Sequence, residues 1–363
     1  MISIIIFFII LSILVLVHEL GHFLMAKKNG VYVEEFGFGL PPRLFGLKKG
    51  ETIYSINLLP FGGFVKLLGE EQEELKTKKL SENLKNRTFV GKKPWQKVSI
   101  IIAGVTANFL LGWLIISYLF TQGVPVPTNN VIVEKVMKNS PAASAGLKSK
   151  DIIKSAIVNT NNTQPAIHSL KSTQDLIDLA KKYTNQEIRL VIQRNSEEFI
   201  VAVFPRKNPP PGQGPLGVVI TSFVEKKYPW YQAPLFGLIE SLNITITIVK
   251  ELIKTLLLFL TFQKVQVEVA GPIGIAKITS AAVKFGNNAI LQVLGLLSLN
   301  LAVINIFPFP ALDGGRLALI VYEAISRKKV DPKIERRLNL VGFAILLSLI
   351  ALVSINDIVK LFK

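Results

Sequence analysis

The sequence predicts an α-helical multipass membrane protein with about four transmembrane helices, a small membrane-associated β-hairpin sheet and one inserted β-rich domain. Four apolar runs are each about long enough to cross the hydrocarbon core of a bilayer, which takes about 20 residues. Short alternating runs such as YVEEFGFG, in the loop after the first apolar run, indicate β-hairpin structure. The long insert between the second and third apolar runs contains further β-type runs such as IRLVIQ, which predict a separate domain.

The composition supports this class and limits the available chemistry. Half of the 363 residues are hydrophobic and 18% are charged, whereas about 25% are charged in a typical soluble domain. The net charge of +17 fits basic loops at a membrane, so we do not expect nucleic acid as a partner. The chain has no Cys, which excludes disulfides, cysteine nucleophiles and thiolate zinc sites. A zinc site would have to use His18, His22, His168 and carboxylates.

The apolar runs and the loops between them divide the chain into seven segments. The first run carries ionisable residues and has no basic stretch before it, so we expect a retained span rather than a signal peptide. The segments are a transmembrane helix (1–26), a loop with a membrane-associated β-hairpin (27–97), a second transmembrane helix (98–123), the inserted domain (124–208), a linker with an interfacial amphipathic helix (209–287), a third transmembrane helix (288–326), and a basic loop with a fourth transmembrane helix (327–363).

The apolar stretch at 235–262 is assigned to the membrane surface because its charges would be costly at mid-bilayer. Those charges are Glu240, Lys250, Glu251 and Lys254. Basic residues also predict the orientation, since short loops rich in Lys and Arg remain cytoplasmic. The loops at 27–97 and 327–337 are the basic ones. We therefore expect a protein of the cell membrane with both loops in the cytoplasm and the inserted domain outside.

An HExxH motif, His18-Glu19-Leu20-Gly21-His22, lies inside the first predicted span. On a helix the two His residues share one face, where both imidazoles can bind one Zn²⁺. Glu19 then lies close to the open position of the metal, where it can take a proton from bound water. The same motif also occurs by chance on helices with scattered polar residues. Three ionisable side chains within an apolar membrane run are costly, which favours the metal site.

A catalytic zinc ion usually has three protein ligands, so two His residues leave one to be found. Asp313 follows a stretch in which Pro308 and Pro310 break the helix, and the membrane tolerates such a break only beside protein or a cavity. The alternative is that Asp313 is an interfacial cap at a helix end. His168 lies in the polar insert and is better explained as a lone surface histidine. The unpaired His residues in the membrane favour Asp313 as the third ligand.

HELGH in the first span and N-x-x-P-x-P-x-L-D-G from Asn305 to Gly314 together resemble the site-2 protease family of intramembrane zinc metalloproteases. The order of parts is similar to the bacterial group that carries a PDZ domain. PFGGFVKLLGE in the first loop, GPIGIAK at Gly271–Lys277 and SPAASAGLK in the insert also match. The chain departs from the family in the second span, where no Gly-Pro pair precedes Asn108.

The resemblance implies roles for individual residues. His18, His22 and Asp313 would bind Zn²⁺, and Glu19 would be the general base. Asn305 and Asn108 would contact substrate or support the site, although each could instead be a satisfied intramembrane amide. Gly62 and Gly63 would lie in a sheet edge, within Tyr54–Leu68, that pairs with an unwound substrate segment; an ordinary amphipathic hairpin is the alternative.

The expected function is intramembrane zinc-dependent endoproteolysis of single-pass membrane proteins in contact with the lipid bilayer. The resemblance implies substrates such as anti-sigma factors and remnant signal peptides. It also implies that the PDZ-like insert binds peptides or excludes bulky ectodomains. Two other functions fit the residues less well: a membrane scaffold with a structural metal site, and a metal-ion transporter that uses membrane His and Asp residues. The sequence leaves the oligomeric state open.

Overall fold

A computed structural model describes residues 2–70, 82–158, 165–261 and 271–361. The described chain forms two compact units, a helical unit (1–122 and 228–363) and an inserted domain (123–227). Part of the predicted first loop, 71–81, lies outside the described residues. In chain order the helical unit comprises α1 (Ile2–Lys28), β1 (Val33–Lys49), β2 (Thr52–Leu67), α2 (Glu82–Lys85) and α3 (Pro94–Gln122), and after the inserted domain α6 (Ala233–Leu260), α7 (Pro272–Phe285), α8 (Asn287–Ile306), α9 (Asp313–Ser326) and α10 (Pro332–Leu361).

Within the described residues four helices are long and apolar enough to cross a membrane: α1, α3, α8 and α10. They correspond to the four predicted spans. Helix α3 begins at Pro94, a few residues before the predicted start, because proline is well suited to the first turn of a helix. The third predicted span consists of two helices, since α8 ends before Pro308 and α9 begins at Asp313.

Helix α3 is central to the helical unit because it packs against α1, α6 and α8. Helix α7 packs against α1, α8 and α10. The backbone amides of Gly271 and Gly274, at the start of α7, donate hydrogen bonds to Asp357 of α10 at 3.0 and 2.8 Å. Asp357 therefore caps α7 and connects it to α10. Helix α6 occupies the segment predicted to lie at the membrane surface, and that placement stays a prediction.

Strands β1 and β2 form a bent hairpin in which residues 35–38 have partners on both sides, 53–56 and 63–66. Residues 43–49 and 63–67 each have partners on one side, so they are the edges of this small sheet. The part of the hairpin around its turn exposes large apolar side chains, namely Leu44, Phe45, Leu47, Ile56 and Leu58. The predicted hairpin is therefore present, and its exposed apolar surface suits contact with lipid.

The inserted domain comprises β3 (Val124–Val136), α4 (Pro141–Ser144), β4 (Ile152–Val158), β5 (Ala166–Ser169), α5 (Thr173–Lys182), β6 (Ile188–Arg194), β7 (Glu197–Val203) and β8 (Val218–Lys226). The strand order is β7-β6-β4-β3-β8, with β5 paired to β4. The interior is a core of buried aliphatic side chains that includes Val131, Ile153, Leu176, Leu190 and Ile192.

The predicted end of this domain, at residue 208, is wrong. The sequence predicts that a linker starts after residue 208 because of the Pro/Gly-rich stretch NPPPGQGPLG. In the structure this region leads into β8, which is antiparallel to β3 from Val124↔Lys226 to Val136↔Val218. The domain therefore extends to residue 227, because its sheet needs the later strand to pair with β3.

Candidate metal centre

His18 and His22 lie one turn apart on the same face of α1, and both are buried. Their Nε2 atoms are 3.1 Å apart, and their rings meet edge to face at an interplanar angle of 87°. This juxtaposition follows from the helical spacing of the HExxH motif. The Nε2 atoms of both imidazoles therefore face the same position within the apolar helix bundle.

The third group comes from the broken segment near the end of the chain. Asp313 is the first residue of α9, and its Oδ2 lies 2.9 Å from His18 Nε2 and 3.2 Å from His22 Nε2. A side chain at Gly314 would collide with the carbonyl oxygens of Ile306 and Phe307. Glycine at this position therefore allows α9 to begin close enough to the end of α8 for Asp313 to reach the two histidines.

The three atoms fit a zinc ion. With zinc–ligand bonds of about 2.0–2.1 Å, two ligand atoms at tetrahedral positions are about 3.3 Å apart. The observed separations of 2.9, 3.1 and 3.2 Å are close to that value. His18, His22 and Asp313 are also the one group of three or more potential metal ligands in the described part of the chain. Three protein ligands leave the fourth tetrahedral position for water or substrate.

Hydrogen bonding by the remaining ring nitrogens orients both histidines. His22 Nδ1 donates to the Ile100 carbonyl at 2.8 Å, which leaves Nε2 free as the ligand atom. His18 Nδ1 lies 3.3 Å from the amide nitrogen of Asn108, whose Oδ1 has no partner among the described residues. When His18 binds a metal through Nε2, its Nδ1 carries a proton. Turning the Asn108 amide by 180° makes its oxygen the acceptor for that proton.

Asn108 and Asn305 both reach the centre. The backbone carbonyl of Asn108 accepts a hydrogen bond from Ser298 Oγ at 2.7 Å, and the Asn108 side chain is fully buried. The Asn305 amide nitrogen is 3.3 Å from His18 Nε2. Both side chains thus lie beside His18.

Glu19 lies beside the edge of the hairpin sheet. A Cβ atom at Gly63 would be 3.7 Å from Glu19 Cγ, so Gly63 is in contact with the residue that follows His18. Gly62 has a φ of +85° and faces Leu40 instead. The structure therefore brings Gly63 next to the centre, whereas Gly62 turns the backbone into the edge strand.

The sequence pattern does not indicate a role for Gly104 of α3 at the centre. A Cβ atom there would collide with His22 Nε2 and would lie 2.9 Å from His18 Cε1. Gly104 therefore leaves the space in which the two imidazoles stand. A glycine in the middle of an apolar span was the only signal for this role, and it does not reveal which helix it faces.

The centre lies nearer to one end of α3. Trp95, near the start of α3, is 63% exposed. Near the other end of α3, the Phe120 carbonyl accepts a hydrogen bond from the Tyr228 amide. Gly104 is about 13 Å along the helix from Trp95 and about 24 Å from Phe120. The metal centre is therefore closer to the end that follows the basic first loop.

His168 lies on β5 of the inserted domain and is not part of this group.

Comparisons with known proteins agree with this centre. The profile of Peptidase family M50 matches residues 6–349. A zinc metalloprotease of Clostridium perfringens is 36% identical over 96% of both chains. A zinc metalloprotease of Rickettsia conorii is 33% identical over the full length of both. The regulator of sigma-W protease RasP of Bacillus subtilis is 28% identical over 99% of both.

Among solved structures, the PDZ domain of an SdrC-like protein from Listeria monocytogenes matches at 19% identity. It covers 27% of this chain and 94% of that domain, with a TM-score of 0.21, which is too low to support an assignment. The family match and the curated relatives favour a protease over the scaffold and transporter alternatives. The chain belongs to Peptidase family M50, the site-2 protease family, and is a multipass membrane zinc metalloprotease.

Proposed function

We propose that His18, His22 and Asp313 bind the zinc ion and that Glu19 is the general base in hydrolysis of a peptide bond within the bilayer. The proposal rests on one observation. Three potential ligand atoms, two from α1 and one from the start of α9, lie together beside Glu19. Bound zinc supplies a Lewis acid, which polarises the peptide carbonyl and lowers the pKa of bound water toward about 7.

The protein's own residues complete the chemistry. Glu19, which follows His18 on α1 and lies against Gly63 of the sheet edge, takes a proton from the attacking water and returns it to the leaving amine. Asn305, whose amide nitrogen lies 3.3 Å from His18 Nε2, donates a hydrogen bond to the substrate. The side chain of Asn108 orients His18 through a contact with Nδ1 of the imidazole ring. Because the helices around the centre are apolar, they keep bulk water away from the reacting groups.

The hairpin sheet provides a surface for the substrate backbone. A transmembrane helix hides its carbonyls in its own hydrogen bonds, so it must unwind before it can be cleaved. Residues 63–67 form a sheet edge that starts beside Glu19. We extend the proposal to a substrate segment that unwinds and adds to this edge as a strand, because main-chain pairing does not depend on substrate sequence. Gly62 and Gly63 keep the approach free of side chains.

The substrates proposed are transmembrane segments of single-pass proteins, including anti-sigma factors and remnant signal peptides. The relative from Bacillus subtilis is named as a regulator of sigma-W, which agrees with the first class.

We place the protein in the cell membrane with the first loop in the cytoplasm and the inserted domain outside. In the inserted domain β8 pairs on one side with β3 and ends the sheet, so it offers an edge for a PDZ-like peptide contact.

The decisive experiment is Glu19→Gln in the full-length protein reconstituted with a single-pass test substrate. Cleavage should fall by about 10²- to 10⁴-fold, because a positioned general base contributes that factor, while zinc content stays unchanged. Glu240→Gln on the apolar helix α6 is the matched control and should cleave normally. Full cleavage by Glu19→Gln would reject the mechanism. Zinc flux into sealed liposomes without any proteolysis would instead favour a transporter.

A further inference from the structure

Helix α9, which carries Asp313, makes a second polar contact with the first part of the chain. Arg316, one turn beyond Asp313, forms an ion pair with Glu70, a residue 246 positions earlier. The two side chains are only partly exposed, 43% for Arg316 and 25% for Glu70. The ion pair is therefore a long-range link between α9 and the segment that follows the hairpin sheet.

The Glu70 end of this link is fixed to the base of the sheet. Glu70 comes three residues after the end of β2, and the residues between are held by backbone hydrogen bonds. The Leu68 amide donates to the Tyr32 carbonyl at 2.9 Å, and the Phe89 amide donates to the Leu68 carbonyl at 2.8 Å. The edge strand 63–67, which starts beside Glu19, thus continues directly into the acidic partner of Arg316.

The other end of the ion pair belongs to a helix whose main packing partners do not include α1. Helix α9 packs against α3 and α8, whereas the two histidines that face Asp313 belong to α1. The turn before α9 contains Ala311 at a φ of +74°, a conformation that alanine adopts rarely. Gly314, in close contact with the carbonyl oxygens of Ile306 and Phe307, fixes the start of α9 against the end of α8. The ion pair one turn beyond Asp313 adds a contact between α9 and the segment that leads to the hairpin sheet.

The pair also lines a cavity of about 400 Å³ whose wall contains the starts of α3 and α10 and part of α9. Lys97, Glu323 and Arg336 contribute further charges to this wall. Because charged side chains of both signs line this cavity, Glu70 is not the only carboxylate near Arg316. Arg316 pairs with Glu70, which is continuous with the sheet edge.

We propose that Glu70 and Arg316 are positioning residues that hold α9 so that Asp313 meets His18 and His22. Neither residue touches the three ligand atoms. The pair makes the placement of the third ligand depend on the same backbone segment that forms the proposed substrate edge. This inference rests on the proposed ligand set of the zinc ion.

Zinc retention provides the test, because it can be measured without proteolysis. Glu70→Gln and Arg316→Gln, in the purified full-length protein, should each lose zinc to a competing chelator at about 10-fold or more lower chelator concentration than the wild type; partners beyond the ligands typically contribute about 10- to 100-fold in metal affinity. Arg316→Lys, which keeps the charge but not the planar fork, should fall between them and the wild type.

Glu51→Gln is the matched control. Glu51 belongs to the same hairpin and accepts hydrogen bonds from Lys27 Nζ at 2.7 Å and from Arg87 at 2.7 to 2.9 Å, but it has no link to α9. This variant should hold zinc within about 2-fold of the wild type, since it leaves the second contact of α9 intact. The reversed pair, Glu70→Arg with Arg316→Glu, should recover most of the lost retention.

Single variants that hold zinc like the wild type would overturn the inference, as would losses equal to that of Glu51→Gln or a reversed pair that recovers nothing. On a cleavable test substrate, the single variants should lower kcat with little change in KM, which a loss of substrate binding would not produce. Zinc retention that responds as expected in a protein that cleaves nothing would support this inference and reject only the protease mechanism. Cleavage that needs Glu19 while retention ignores the pair would reject only this inference.

Discussion

The helical unit and the inserted domain both bury ionisable side chains, but the two arrangements differ. In the inserted domain the buried Asp151 accepts hydrogen bonds from Arg194 at 2.6 and 2.7 Å and from the Lys148 amide at 2.8 Å. In the helical unit the Nε2 atoms of His18 and His22 and Oδ2 of Asp313 instead lie 2.9 to 3.2 Å from one another. The Asp151 carboxylate has its donors within the domain, whereas two imidazoles and a carboxylate at this spacing match the ligand set of a zinc site.

The two units also use apolar residues differently. The inserted domain buries its aliphatic side chains in one core, as expected when water drives folding. The helical unit exposes many, including 59% of Leu340 and 66% of Leu352 on α10, which is what contact with lipid requires. Without water as the driving force, helices associate through close packing of small residues. Gly21 of α1 is an example, because a side chain there would collide with the Ala103 carbonyl of α3.

Removal of a converging group should have the largest effect. Asp313→Ala takes away one of three proposed ligands, so zinc affinity should fall by more than about 100-fold and cleavage should drop to background. Atomic absorption on purified protein and cleavage of a test substrate measure the two effects. Asp178→Ala, on the exposed face of α5 in the inserted domain, should change neither. Unchanged zinc content in Asp313→Ala would remove this residue from the ligand set.

Close packing at the centre can be tested separately from its ligands. Gly104→Ala places a methyl group against His22 Nε2, so the histidines must shift and zinc retention should fall by about 10-fold or more. The matched control is Gly214→Ala in the inserted domain, where a Cβ meets nothing within 4 Å. Chelator competition on both variants decides the matter. Equal retention would show that α1 and α3 have space to separate.

The support of His18 gives an intermediate effect. Asn108→Ala removes the acceptor proposed for His18 Nδ1, so zinc affinity or cleavage should fall by about 10- to 100-fold. Asn108→Asp keeps an oxygen at that place and should lose less. Asn243→Ala, at an exposed position of the apolar helix α6, controls for loss of an amide from an apolar helix. If Asn108→Asp and Asn108→Ala lose equally, the oxygen is not the functional atom.

The features that depend on one segment were predictable from the sequence, and those that depend on two segments were not. The four apolar helices follow from their own composition, and the pairing of His18 with His22 follows from helical spacing. Proximity of Asp313 to them was inferred from a shortage of ligands and from the family resemblance. By contrast, the role of Gly104 requires knowledge of which face of α3 meets α1.

Long-range pairing accounts for the remaining failures. The stretch 209–217 has the local composition of a linker, yet the chain continues directly into β8, which pairs with residues of β3 that lie 82 to 102 positions earlier. The ion pair between Glu70 and Arg316 likewise joins residues whose surroundings in the sequence show no relation. Local patterns determine elements, but the partner of each element depends on the whole fold.

The acid sensitivity of the inserted domain is the smallest predicted effect and the one that should leave the metal centre untouched. Burial disfavours the charged form of Asp151, but the hydrogen bonds from Arg194 and the Lys148 amide outweigh it and lower the pKa of this carboxyl group. A carboxyl whose pKa is lower in the folded than in the unfolded state, where it is about 3.9, stabilises the fold at neutral pH, and this stabilisation is lost as the pH falls below about 4.

Asp151→Asn should therefore destabilise the domain by about 1–3 kcal/mol at pH 7 and flatten its acid dependence. Hydrogen exchange of β6 in the full-length protein, corrected for intrinsic rates, measures both effects, with Asp178→Asn as control. Because Asp151 and Arg194 lie within one unit, zinc retention at pH 7 should be that of the wild type; a loss of zinc in Asp151→Asn would show that the two units are energetically coupled.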